Sequence, residues 1–148
     1  MILFPSSIFL KRLTCGSVIK FSHPDFPEKP HNFIVLNSNP LKDGFLLLIV
    51  STSNVERVKE IVDRQRRLSG GYINVKQGEY KDFERESYIN CHKPYAFEIG
   101  KLKAKYKKAL VDMKERLPDE LIKRVRKGCL DSPMFKPKYK KFIKIEGD

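Results

Sequence analysis

The chain has no tryptophan, only three cysteines and three histidines, and 18 acidic residues against 30 basic ones. Each shortage removes a class of explanation. Cys15, Cys91 and Cys129 are odd in number and far apart, so they form neither a disulfide framework nor a metal-ligand set. A reducing, cytoplasmic setting is the expectation, with no metal and no cofactor. Cys91-His92 is adjacent rather than spaced for a metal, and Cys91 reads as a small core residue. No apolar run nears the roughly 20 residues that a membrane-crossing helix needs. Met1-Ile2-Leu3-Phe4 is far too short, and the cations Lys11 and Arg12 follow it, where a secretory signal has them in front. Neither a membrane partner nor a targeting role is expected. Ser6 or Ser7 is instead expected to cap a short helix through Leu13. Internal repeats are also absent.

What the chain has in excess is positive charge, unevenly placed. The formal net charge is +12; residues 1–100 carry about +3 of it and residues 101–144 about +11. Such asymmetry points to a polyanion or an acidic protein partner, the alternative being a lysine-rich solvated surface. The 148 residues suit one domain with its own core. The expected organisation is an N-terminal extension over 1–15, a β-rich unit over 16–100 and a basic helical extension over 101–148.

The most informative stretch is Pro30 to Asn37 followed by Phe45 to Ser53. Two apolar runs rich in β-branched and aromatic residues are joined through Asn39-Pro40-Leu41-Lys42-Asp43-Gly44, which reads as a hairpin. His31 falls at the start of the first strand; Thr52 and Ser53 fall at the end of the second. Antiparallel pairing brings those ends to one rim of a sheet. The prolines at 24, 27 and 30 preclude regular structure ahead of His31 and predict a constrained loop.

Further strands are expected near 17–21, 72–76, 87–91 and 95–99, and a helix over 54–68 with Ser53 or Asn54 as its cap. Ser69-Gly70-Gly71 ends that helix. Helices are also expected over 101–116 and 118–129, the second with Pro118 at its first position. The predicted class is mainly β with α additions (α+β), a small, strongly bent barrel or half-barrel with one inserted helix.

Taken in order, Gly16 to Phe21, Pro30 to Asn37, Phe45 to Ser53 and Arg85 to Cys91 resemble the MazF/PemK-like toxins of bacterial toxin–antitoxin systems. The resemblance covers roughly residues 16–102. It implies an SH3-like barrel, a homodimer, and a metal-independent endoribonuclease acting on single-stranded RNA and silenced by an acidic antitoxin. One departure stands out. The family has Arg-Pro where the chain enters its second strand; here His31 occupies that position, or Lys29-Pro30 if the alignment slips by two residues.

RNA can be cut without a metal when its own 2′-hydroxyl attacks the adjacent phosphate. The protein must then accept a proton and steady the phosphorane charge. Imidazole exchanges protons near neutral pH, which makes His31 the candidate for proton transfer. Thr52 and Ser53 hydroxyls are candidates for the phosphate oxygens, and Lys29 and Arg57 for its charge. Lys136, Lys138 and Tyr139 in the tail are expected to follow phosphates and stack on bases. Plainer readings stand beside these: His31 packing in its loop, Thr52-Ser53 as a helix cap, and the tail aromatics folded back onto the barrel. His23 and His92 read as surface or loop histidines, and Ser87 as structural. Two rival functions remain, a non-catalytic nucleic-acid-binding module and a toxin of the same fold that poisons a protein such as a topoisomerase.

Overall fold

The computed structural model describes residues 4–143; the expectations for Met1 to Leu3 and for Lys144 onward lie outside the described residues. From the N-terminus, α1 (Ser6–Arg12) leads to β1 (Val18–Phe21) and β2 (His31–Val35), and the one-turn α2 (Pro40–Asp43) leads to β3 (Phe45–Thr52). Next come α3 (Val55–Arg64), a 3₁₀ turn (Arg66–Gly71), β4 (Tyr72–Val75) and β5 (Ser87–Asn90). β6 (Tyr95–Glu98), α4 (Ile99–Lys107), β7 (Asp112–Met113), α5 (Asp119–Asp131) and α6 (Pro137–Lys140) follow.

The strands form one antiparallel sheet in the order β4-β5-β3-β2-β1-β7, with β6 also on β3. β3 explains its shape. One side of β3 pairs with β2, while the other pairs with β6 over Phe45–Leu48 and with β5 at Ser51 and Thr52. The sheet turns where β3 passes from one neighbour to the other.

Both faces of the sheet are covered at β2 and β3, which is why their apolar runs are continuous; burial alternates along β4, β5 and β6. Val18, Ile34, Leu47 and Ile49 pack with Leu121, Ile122 and Val125 of α5 and with Ile73, Val75 and Ile89. Ile19, Phe33, Val35, Leu46 and Leu48 pack with Phe9, Leu102 and Tyr106 of α1 and α4 and with Tyr95 and Phe97. Each such side chain contributes about 1.5–3 kcal/mol on burial. The β2–β3 hairpin is pinned by Asn37, which is fully buried. Its Nδ2 donates to the Phe45 carbonyl at 2.8 Å and its Oδ1 accepts from Leu47 N–H at 3.1 Å.

The fold is thus α+β. The sheet is open, with β4 and β7 at its edges, so the closure expected of a barrel is not made by strand pairing. A hydrogen-bonded clasp spans the gap instead. Lys114 N–H donates to the Val18 carbonyl at 2.8 Å and Leu117 N–H to that of Gly16 at 2.9 Å. On the other side, Glu115 N–H donates to Asp82 Oδ2 at 2.9 Å, and the Tyr80 hydroxyl donates to the Glu115 carbonyl.

Three expectations need correction. The helix expected over 101–116 stops at Lys107, and Ala109 turns left-handed with φ of 59°. Continuing the helix would place Leu110 after Leu102 and Tyr106 on the buried face. Instead Leu110 is 57% exposed and Val111 enters the core. The segment then pairs with the open edge of β1, Ile19↔Met113 and Lys20↔Asp112, because an unpaired edge offers backbone partners that the helix end cannot. Pro118 is the N-cap of α5 rather than its first residue. His92 lies in the turn after β5, as a loop histidine, but is buried rather than at the surface: its Nε2 lies 2.7 Å from the Leu68 carbonyl and its Nδ1 beside the Ser132 hydroxyl. A carbonyl only accepts, so Nε2 carries the proton and Nδ1 accepts from Ser132.

The His92 ring lies against the Cα of Gly71, and a methyl group there would fall inside the ring's van der Waals surface. Gly71→Ala is expected to destabilise the fold by about 1–3 kcal/mol, as overpacking does, seen as a lower urea midpoint. An unchanged midpoint would show that the imidazole yields freely.

Candidate functional site

The loop from His23 to Pro30 is held from within. His23 Nδ1 accepts Asp25 N–H at 3.0 Å, and Phe26 N–H donates to the His23 carbonyl at 2.8 Å. The His23 ring is buried among Phe33, Tyr95 and Phe97, with centroids 5.2–5.5 Å away; of the surface or loop placements expected, the loop holds and the surface does not, because this aromatic cage covers the ring. Burial pushes the His23 pKa down, with Lys105 acting the same way and Asp25 opposing. Phe26 links the cage to the rim, its ring 4.9 Å from that of His31.

His31 opens β2 and is half-buried. Its Nδ1 is 3.1 Å from the Lys29 carbonyl. Since that oxygen can only accept, Nδ1 carries the proton, and Nε2 of the neutral ring holds the free lone pair. The local backbone therefore selects the tautomer in which the outer nitrogen is basic.

The β2–β3 register pairs Phe33 with Val50; continued outward, it sets His31 opposite Thr52. Thr52 is half-buried, and its Oγ1 accepts Asn54 N–H at 3.1 Å. Asn54 is the cap of α3, its Oδ1 accepting Arg57 N–H at 3.2 Å. Ser53 is exposed and does not cap the helix. Both hydroxyls keep a proton to donate.

These residues line one cleft of about 350 Å³. One wall is Lys29 to Asn32, the second Ser51 to Asn54, and the third Asp82 to Arg85 with Ser87; Lys20 and Lys114 complete the rim. Lys29, His31, Thr52 and Ser53 are thus brought together as the sequence expected. Asn32 Oδ1, on the same wall, is buried with no hydrogen-bond partner among the described residues, an arrangement that costs about 1–3 kcal/mol and recurs at functional sites.

The cleft is cationic. Lys20, Lys29, Arg85 and Lys114 face two carboxylates, Asp82 and Glu84. Asp82 is already engaged by Glu115 N–H; the Tyr80 hydroxyl is 3.4 Å from it and gives its one proton to the Glu115 carbonyl. Burial, followed by the charge of Asp82, pushes the Tyr80 pKa up, so this phenol stays a neutral donor at physiological pH.

The other expected RNA contacts lie elsewhere. Arg57 does not line the cleft; it is exposed on α3 and 3.5 Å from Glu60. Lys136, Lys138 and Tyr139 are also outside the cleft. Phe135 is buried in the core, the Tyr139 ring lies 6.2 Å from that of Phe45, and Lys138 Nζ sits 5.0 Å over Tyr139. The tail aromatics fold back onto the sheet because Phe45 and the neighbouring apolar surface bury them more effectively than solvent.

Sequence reading missed Lys20, Arg85 and Lys114. Lys20 was recoverable, since it pairs with Asn32 once β1 is set against β2. Lys114 was hidden by the helical period assigned to 101–116. Arg85 lies in a polar stretch without periodicity.

A pH dependence follows from His23. With its pKa below the ordinary 6.5, the folded state binds its proton less readily than the unfolded chain. The resulting stability is complete above 6.5 and is lost as pH falls through the depressed folded value. Urea midpoints taken between about pH 7.5 and 4.5 are expected to fall, and to fall less steeply for His23→Phe. Identical declines in both proteins would remove His23 as a cause.

Among the described residues, no cluster of histidine, cysteine, aspartate and glutamate could hold a metal ion, and no helix is long and apolar enough to cross a membrane. No protein-family model matches the chain, and no curated protein matches it.

Proposed function

We propose that this chain is an RNA endonuclease of the MazF/PemK-like kind, the toxin of a toxin–antitoxin pair. The observation that carries this reading is the meeting of Lys29, His31, Thr52 and Ser53 in one cationic cleft. An apolar pocket would suit a small hydrophobic ligand; this one offers a base, two hydroxyls and four cations, which suits a phosphodiester.

His31 Nε2 takes the proton of the RNA 2′-hydroxyl. The freed oxygen bonds to the adjacent phosphorus, and the bond from phosphorus to the 5′-oxygen breaks. The products are a 2′,3′-cyclic phosphate and a 5′-hydroxyl, the leaving oxygen taking its proton from solvent. Lys29 and the Thr52 and Ser53 hydroxyls hold the non-bridging oxygens. Single-stranded RNA is the substrate, because the attacking and leaving oxygens must come into line and a stacked helix resists that.

The fold is an opened SH3-like barrel in this reading. Its support is the shared β3 strand and the clasp of Lys114 to Leu117, which joins β1 to the loop ahead of β5. The partners implied are RNA, an acidic antitoxin and a second copy of the chain as a homodimer. The +12 net charge supports an acidic partner. Three free cysteines, two of them buried, fit a reducing cytoplasm.

Purified protein incubated with single-stranded RNA in a chelator is expected to leave cyclic-phosphate and 5′-hydroxyl ends. His31→Ala is expected to slow cleavage by about 10²–10⁴-fold. Binding with a steep salt dependence but no cleavage would make the chain a binding module. Growth arrest with unaltered transcript ends would point to a protein target.

A further inference from the structure

The proposed reaction places extra negative charge on two non-bridging phosphate oxygens, and Lys29 and two neutral hydroxyls meet it with only one cation. We propose that Arg85 is a catalytic residue of this cleft, its guanidinium donating to both of those oxygens; the assignment rests on the nuclease reading above. A planar guanidinium matches two oxygens at once, which an ammonium does not.

Arg85 is the one guanidinium that lines the cleft among the described residues. It is also uncommitted. Arg57, Arg116 and Arg124 pair with Glu60, Asp119 and Glu79 at 3.5, 3.1 and 3.1 Å, whereas Arg85 makes no ion pair among the described residues. The nearby acids make no ion pair with it among the described residues. Glu86 accepts instead from Asn74 Nδ2 at 2.9 Å, and Asp82 from Glu115 N–H. Glu84 is the remaining carboxylate on that wall, and it is outnumbered by Lys20, Lys29, Arg85 and Lys114.

The backbone that carries Arg85 is fixed on both sides. Phe83, two residues before, is buried and packs edge-on against Tyr80 at 4.7 Å. Ser87, two residues after, is buried, pairs with Val75 in the sheet and donates its hydroxyl to the Arg85 carbonyl at 3.0 Å. An exposed arginine held between two anchors reaches the cleft with less backbone freedom to lose than one on a free loop. Register agrees with a place close to this wall. Thr52 pairs with Tyr88, so continuing the ladder sets Ser87 opposite Ser53 and Glu86 opposite Asn54, and Arg85 is the next residue along the chain.

The test is steady-state cleavage of a single-stranded RNA oligonucleotide by wild type, Arg85→Ala, Arg85→Lys and Lys59→Ala. Arg85→Ala is expected to lower kcat by about 100-fold or more, the usual effect of losing one donor to a developing oxyanion, with little change in KM. Arg85→Lys is expected to recover only part of the rate, and added guanidinium ion is expected to speed Arg85→Ala but not wild type. Lys59→Ala, on the exposed face of α3, is expected to match wild type. Thermal midpoints of all four are expected to agree, since both side chains are exposed. Cleavage by Arg85→Ala within a few fold of wild type would overturn the assignment and leave the nuclease standing. So would a raised KM at unchanged kcat, the mark of a tether rather than a transition-state contact. A wild-type protein that cuts no RNA would instead sink the nuclease reading, and this role with it.

Discussion

Burial of β3 on both faces is the constraint on which the rest of the molecule depends. Leu46 to Ile49 lie at 0% exposure, divided between a core under α5 and one under α1 and α4. A strand covered on both sides has no freedom of register, because a one-residue slip would exchange the two cores. Its edges are fully used as well, by β2 on one side and by β6 and then β5 on the other. Every wall of the cleft is therefore positioned relative to the end of one strand.

That end is where polarity begins. The same ladder that buries Val50 and Ser51 brings Thr52 and Ser53 towards the surface, facing the start of β2 and the loop ahead of β5. Local chemistry then prepares the groups without further architecture. The Lys29 carbonyl sets the tautomer of His31, Asn54 caps α3 so that Thr52 and Ser53 do not have to, and Asp82 is drawn off by a backbone donor. The loop delivering His31 is stiffened twice, by prolines that limit φ and by a buried neutral histidine in an aromatic cage. Rigid surroundings of this kind matter for proton transfer and phosphate contact, which tolerate little misplacement.

The basic C-terminal third builds core as well as carrying charge. Its apolar residues, Leu121, Ile122, Val125, Cys129 and Phe135, form one side of a core. Among its described cations, Lys114 alone lines the cleft. Some of the others are tied locally: Lys123 and Lys127 pair along α5 with Glu120 and Asp131, and Lys140 donates to the Leu130 and Ser132 carbonyls. Net charge describes long-range attraction; it does not identify which cations touch a ligand.

The sequence by itself determined β1 to β6, the β2–β3 hairpin, the bodies of α3 and α5, and the meeting of His31 with Thr52 and Ser53; α3 stops at Arg64, short of the expected 68, and a 3₁₀ turn follows. These follow from short-range rules: hydrophobic period, turn chemistry and the antiparallel geometry of a hairpin. Only the tertiary structure decided the course of residues 108–117, the burial of His23 and His92, and the return of the tail onto Phe45. It also decided the third wall of the cleft. Lys114 reaches the rim because the open edge of β1 captures a segment about a hundred residues downstream, and Arg85 reaches it because β5 pairs with the last two residues of β3. Both are long-range pairings, and nothing in the local pattern around Lys114 or Arg85 encodes the partner strand.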